Sequence, residues 1–167
     1  MRKIILLAAL PLILFSCGKA GKKANEFSND MENVNVWSNQ ATIVRGIAHT
    51  GNYASKLDST AVYSFGFQSL FENVLKNIPK KINVTMWIYA PQANPKATLV
   101  VDINSNGKSK YWRNSALNGV TDAKEWKKMS ATFDLPSNLD IKDELKIYVW
   151  NPDKQELYID DLDISFE

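Results

Sequence analysis

The side chains able to do chemistry are few. The chain of 167 residues carries one histidine, His49, and one cysteine, Cys17. A single histidine leaves no base for a serine dyad and no ligand cluster for zinc. Gly107-Lys108-Ser109 copies the end of a phosphate loop, but the first glycine is missing and the triplet sits in a hairpin turn rather than before a helix. Carboxylates are more plentiful. Asp160 and Asp161 adjoin near the C-terminus, and Asp30 and Glu32 stand two apart near the start of the chain body. Paired carboxylates can cleave glycosides, but neighbours on a strand point to opposite faces, which is the wrong geometry for flanking one bond. No enzymatic activity is expected. What remains is binding chemistry: regularly spaced aromatics, hard oxygen donors and one thiol.

The thiol has a context. Met1-Arg2-Lys3 opens the chain, residues 4–15 are almost wholly apolar, and Ser16-Cys17-Gly18 comes next. A basic start, an apolar run shorter than the ~20 residues of a spanning helix and small residues at a cleavage point describe an export signal. Leu14-Phe15-Ser16-Cys17 resembles the bacterial lipobox, in which cleavage falls before the cysteine and its thiol and new amino group are acylated. The expected organisation is a signal peptide at 1–16, a lipidated polar tether at 17–26 and one domain at 27–167. The expected location is the cell envelope outside the cytoplasm, anchored by lipid to a bacterial membrane, the outer one by preference. Acyl chains contribute ~0.8 kcal/mol per buried methylene, so several of them hold permanently. Removal of Arg2 and Lys3 leaves 18 basic side chains against 18 acidic. With no net charge and no basic stripe, nucleic acid is not an expected partner.

The elements that must position these groups read as all β. Ile82, Val84, Met86 and Ile88 alternate with Asn83, Thr85, Trp87 and Tyr89. Leu99, Val101 and Ile103 alternate with Thr98, Val100, Asp102 and Asn104; Leu145, Ile147 and Val149 alternate with Lys146, Tyr148 and Trp150. Period two bounded by Pro, Gly and Asn marks half-buried antiparallel strands. Further strands are expected at 41–44, 53–57, 62–67, 110–113, 127–133 and 157–166, with one or two helical turns at 70–76. Many short strands with turns between them give a two-sheet antiparallel β-sandwich.

The last strand is inconsistent with itself. Strict alternation over 157–166 places Tyr158, Asp160, Leu162, Ile164 and Phe166 on one face, which puts Asp160 in the core, where an unpaired carboxylate costs several kcal/mol. Hydrogen bonds, an ion pair or a hard cation such as calcium would compensate it. Pairing of first and last strands would bring Glu32 near.

Several stretches together resemble a family. They are Met31-Glu32 before Trp37, His49-Thr50-Gly51-Asn52-Tyr53 continuing to Leu57, the aromatic strand at 63–67, Val84 to Ala90, Trp126 before Ala131 to Pro136, and Tyr158-Ile159-Asp160-Asp161-Leu162. The pattern is similar to the carbohydrate-binding modules of families four, nine and twenty-two, which are galactose-binding-like jelly rolls. The resemblance covers nearly all of 27–167. It implies a jelly-roll sandwich with one structural calcium held by Glu32, carbonyls near Gly51 and Lys56, and Asp160. It also implies that Trp37 and Trp126 are packing aromatics and that the partner is a polysaccharide or oligosaccharide.

The alternation places a candidate ligand surface opposite the aliphatic rows. Trp87, Tyr89, Tyr148 and Trp150 are expected to emerge on one shared face with Asn83, Thr85, Asp102, Asn104 and Lys146. One of Tyr111 and Trp112 is expected to join them. Aromatic rings among amides and carboxylates suit a sugar, whose C–H face stacks while its hydroxyls find partners. The other reading has loops covering these aromatics as a second small core. Two functions are open: a membrane-anchored glycan-binding module, or a scaffold and protein-binding envelope lipoprotein.

Overall fold

The computed structural model describes residues 25–33, 37–117 and 123–167. The expected signal segment and Cys17 lie outside the described residues. Ten strands run in chain order: β1 (Glu26–Asn29), β2 (Ile43–Arg45), β3 (Tyr53–Leu57), β4 (Phe67–Leu70), β5 (Lys81–Tyr89), β6 (Thr98–Ser105), β7 (Lys108–Ala116), β8 (Trp126–Asp134), β9 (Glu144–Trp150) and β10 (Leu157–Phe166). They form two antiparallel sheets. One has six strands ordered β2-β3-β10-β5-β8, with β1 also on β10, and the other has four ordered β4-β9-β6-β7. The helical turns expected at 70–76 reduce to a single 3-10 turn at Phe71–Asn73.

The two sheets close over one core because their strands alternate as the sequence does. Ile82, Val84, Met86 and Ile88 of β5, Leu99, Val101 and Ile103 of β6, and Leu145, Ile147 and Val149 of β9 are buried in it. Trp37 stacks on Phe65 with ring centres 5.8 Å apart and meets Phe67 edge-on at 5.5 Å. Such aromatic pairs add to area burial, which matches the structural role expected of Trp37. On β7, Tyr111 is the inward ring, its hydroxyl donating to the Asp134 carbonyl at 2.9 Å, and Trp112 is the outward one.

The inconsistency in the last strand is resolved by a bulge. Tyr158 and Asp160 stand opposite Tyr89 and Trp87, whereas Asp163 and Ser165 stand opposite Thr85 and Asn83. The register shifts between Asp160 and Asp163, where Asp161 adopts φ 46°. An extra residue in one strand reverses the parity of the residues beyond it. Leu157 and Ile159 therefore face the core before the bulge, and Leu162, Ile164 and Phe166 face it after. The expectation of one continuous core face is corrected: Tyr158 and Asp160 belong to the outer side of the six-stranded sheet. Nor do Asp30 and Glu32 share an extended face, because Met31 turns the chain at φ 61°.

Candidate functional site

The sandwich divides the expected aromatic face in two. Trp87 and Tyr89 lie on β5 of the six-stranded sheet, Tyr148 and Trp150 on β9 of the four-stranded one. Directly opposed residues share a side of a sheet, and the outer sides of two packed sheets face away from each other. The single groove expected from parity is corrected accordingly, since period two tells inside from outside but not which outside.

The four-stranded sheet carries the open surface. Trp150 is opposite Thr98, Tyr148 opposite Val100, and Asp102 stands between Lys146 of β9 and Trp112 of β7. Trp112 and Trp150 meet edge to face at 6.4 Å. Tyr63 joins from the irregular segment before β4, through a bridge to Trp150, and its ring meets Tyr148 at 5.7 Å. Tyr63 is 49% exposed and Trp112 39%, so the rings form a platform rather than a second core. Burial, and then the charge of Asp102, push the Tyr148 phenol up. Asp102 thus sits close enough to the rings for its oxygens to serve a ligand hydroxyl laid across them. Asn104 comes two residues later on the same strand, opposite Glu144 and Ser109. Lys146 is tied to Glu144 at 3.1 Å. The sequence places Tyr63 in an aromatic strand at 63–67 but not on the ligand face, because it alternates in step with Phe65 and Phe67; those two are buried in the core, the strand begins only at Phe67, and Tyr63 stands exposed before it.

The six-stranded sheet carries a second, half-buried aromatic run. The His49 imidazole stacks on Trp87 at 3.8 Å and meets Trp126 at 5.7 Å. Trp126 continues to Tyr89 at 5.6 Å, and Tyr89 to Tyr158 at 5.9 Å. Lys56 lies over the Tyr158 ring at 6.0 Å while reaching Asp58 and Glu156. His49 thus covers part of Trp87, and Tyr89 packs between Trp126 and Tyr158, yet both remain half-buried, as Tyr148 and Trp150 do, and Trp87 lines a cleft of about 840 Å³ with Thr50 and Asp161. Trp126 packs as expected, though on this outer side and not in the core.

The residues expected to hold calcium converge on the loop that precedes β3. Asp160 is fully buried. Its Oδ2 accepts from the amides of His49 at 2.7 Å and Thr50 at 3.1 Å, and its Oδ1 from that of Asp161 at 2.8 Å. Glu32 Oε1 accepts from the amides of Asn52 at 2.6 Å and Tyr53 at 2.8 Å, and the amide of Asn52 first among its neighbours holds its carboxyl low. Asp161 in turn accepts from the Thr50 hydroxyl and contacts His49 Nδ1. Gly51 has φ +63°, and a Cβ there would come within 2.4 Å of Glu32 Oε1. Lys56 stands opposite Tyr158, two residues before Asp160. Burial pushes Asp160 up to about 6 against the pull of its amides, with Asp161 adding like charge. A buried carboxylate that meets only amide dipoles would be neutralised by calcium, which takes carboxylates and backbone carbonyls together. No group of three or more acidic, histidine or cysteine side chains gathers among the described residues, so carbonyls and water would complete such a shell.

Comparison with solved structures places this architecture. The CBM22-2 xylan-binding domain from Paenibacillus barcinonensis superposes with TM-score 0.56 at 20% identity, over 84% of this chain and 99% of that one. The C-terminal family 22 carbohydrate-binding module of Clostridium thermocellum gives 0.52 at 12% identity, over 86% and 94%. A family 16 carbohydrate-binding module gives 0.50 at 15% identity, over 81% and 99%. The fold is the two-sheet antiparallel β-sandwich that these modules share, as the sequence pattern implied. No family model matches the chain, and no curated protein does.

Proposed function

We propose that this chain is a non-catalytic glycan-binding module, anchored through acylated Cys17 outside a bacterial cytoplasm, that lays a polysaccharide across the outer side of its four-stranded sheet. The observation that carries the reading is the contiguous platform of Tyr63, Trp112, Tyr148 and Trp150 around Asp102 and Asn104. Rings at 49% and 39% exposure keep apolar surface in water, and a sugar face removes it while Asp102 and Asn104 pair with hydroxyls. Neighbouring folds described as xylan-binding support a β-linked backbone as the first ligand to try. Shallow stacking with wet hydroxyl contacts predicts micromolar to millimolar affinity, roughly 4–8 kcal/mol. A structural calcium beneath the 46–53 loop, held by Glu32, Asp160 and carbonyls near Gly51 and Lys56, is part of the proposal. It would offset the Asp160 charge and fix the loop that covers Trp87.

The scaffold alternative needs these aromatics covered. Trp87, Tyr89, Tyr148 and Trp150 are each half-buried, whereas Tyr63 and Trp112 stand exposed beside the last two, which favours the glycan reading. The test is retention of the protein, in zwitterionic detergent, on insoluble xylan, mannan and β-glucan. Retention on at least one, lost in Trp112→Ala, is expected; passage through all three unretained would return the scaffold reading.

A further inference from the structure

The outer side of the four-stranded sheet changes character along its strands. Rings gather at one end, where Trp150 stands opposite Thr98 and Tyr148 opposite Val100. Val100 is fully buried although it lies on the outer side between Tyr148 and Asn114, so the side chains around it close over it. Toward the other end the paired positions turn polar. Gln68, Lys146, Asp102 and Trp112 make one row, and Glu144, Asn104 and Ser109 the next. Asp102 stands where the two halves meet, directly opposite Trp112, and opposed side chains on one face lie about 5 Å apart. Its charge is felt among the rings, since after burial it is the next cause that pushes the Tyr148 phenol up.

The charged members of this face are Asp102, Glu144 and Lys146. Lys146 is committed to Glu144 at 3.1 Å, and Gln68 Nε2 donates to the same carboxylate at 2.6 Å. Asp102 receives much less. Its contact is the Ser109 hydroxyl at 3.5 Å, and no cation among the described residues forms an ion pair with it. Lys110 binds both oxygens of Asp143 instead, and Arg113 stands opposite Val101, on the inner side of β7. The face therefore sets two carboxylates against one ammonium, with the surplus charge beside an exposed indole. An ammonium group is attracted by both, by the carboxylate through its charge and by the ring face through its quadrupole. A small metal ion would meet a single carboxylate here. A sugar ring that carries an amine can instead stack its C–H face on the rings and bring the ammonium to Asp102 in one pose.

We propose that Asp102 makes the platform selective by charge, so that it takes a β-linked glycan bearing free amines, a deacetylated hexosamine polymer, in preference to the neutral backbone and disfavours the uronic acid counterpart. The inference rests on the glycan-binding reading of the platform and specifies its substrate class.

The experiment is calorimetric titration of the protein in zwitterionic detergent with three β-linked oligosaccharides of equal length, built from glucosamine, glucose or glucuronic acid. At about pH 5.5 both the amines and the carboxylates are charged. Wild type should bind the amine about five-fold more tightly than the neutral sugar at low salt, and the acid about five-fold more weakly, the scale of an exposed charge pair. The ranking should shrink at high ionic strength, where screening acts within ~3 Å at 1 M. In Asp102→Asn the three affinities should converge. In Asp134→Asn, which removes an equal charge from the exposed partner of Lys81, the ranking should stay. Equal affinity of wild type for the three sugars, a ranking that survives in Asp102→Asn, or one that also collapses in Asp134→Asn overturns the selectivity and leaves the platform standing. Binding to none of the three overturns the selectivity, and failure of retention on the insoluble glycans as well removes the platform with it.

Discussion

Asp160 is the residue under the greatest electrostatic tension. Its carboxyl is raised to about 6, chiefly by burial, against an unfolded value near 3.9. The folded state therefore holds the proton more tightly, and this group's contribution to stability falls as pH rises from about 4 to about 6. Across that window the cost of ionisation is about 3 kcal/mol at most. In chelator, the melting temperature should accordingly rise as pH is lowered from 7 to 5, and Asp160→Asn should flatten that rise. Added calcium binds the folded state and should raise melting at pH 7 by mass action. Identical melting at pH 7 with chelator and with calcium would show that amides alone satisfy the carboxylate. Gly51 belongs to the same loop. Its φ of +63° and the 2.4 Å approach of Glu32 to any Cβ predict that Gly51→Ala destabilises by about 1–3 kcal/mol. Urea unfolding would measure it, and a neutral substitution would mean that Glu32 does not lock the loop.

At the scale of elements, the regular strands were legible and the irregular ones were not. Tyr53–Leu57 and Leu157–Phe166 were read to the residue, and the aliphatic rows of β5, β6 and β9 fill the core as their alternation requires. β1 was not read as a strand, since four residues of Glu-Phe-Ser-Asn leave too short a period. The bulge in β10 was hidden because an aspartate in the left-handed region carries no mark of its own, unlike a glycine. The same hidden residue moved Asp160 from core to outer side. Parity likewise could not assign Trp87 and Trp150 to different sheets, because sheet membership is set by long-range pairing and not by local period. That division makes a prediction. Trp150→Ala should abolish glycan binding and leave melting little changed. Trp87→Ala should remove the stack with His49 and lower stability by about 1–3 kcal/mol, in the range of most destabilising substitutions, while binding persists. Thermal melts and titrations of the two variants check both halves.

At the scale of the whole molecule, the proposed function joins an anchor to a binding face. The anchor depends on the thiol of Cys17, so Cys17→Ser should yield protein that leaves the membrane fraction or retains its leader, read by fractionation and intact mass. Normal processing and membrane retention in that variant would end the idea of a lipid tether. The central claim is that the four-stranded sheet, and not the six-stranded one, receives a sugar chain. Its most direct measurement is a calorimetric titration of wild type, Trp112→Ala and Trp87→Ala with one neutral β-linked oligosaccharide retained in the insoluble-glycan test. Wild type and Trp87→Ala alike should show a micromolar to millimolar dissociation constant, and Trp112→Ala no measurable binding. Binding lost in Trp87→Ala and kept in Trp112→Ala would contradict the claim.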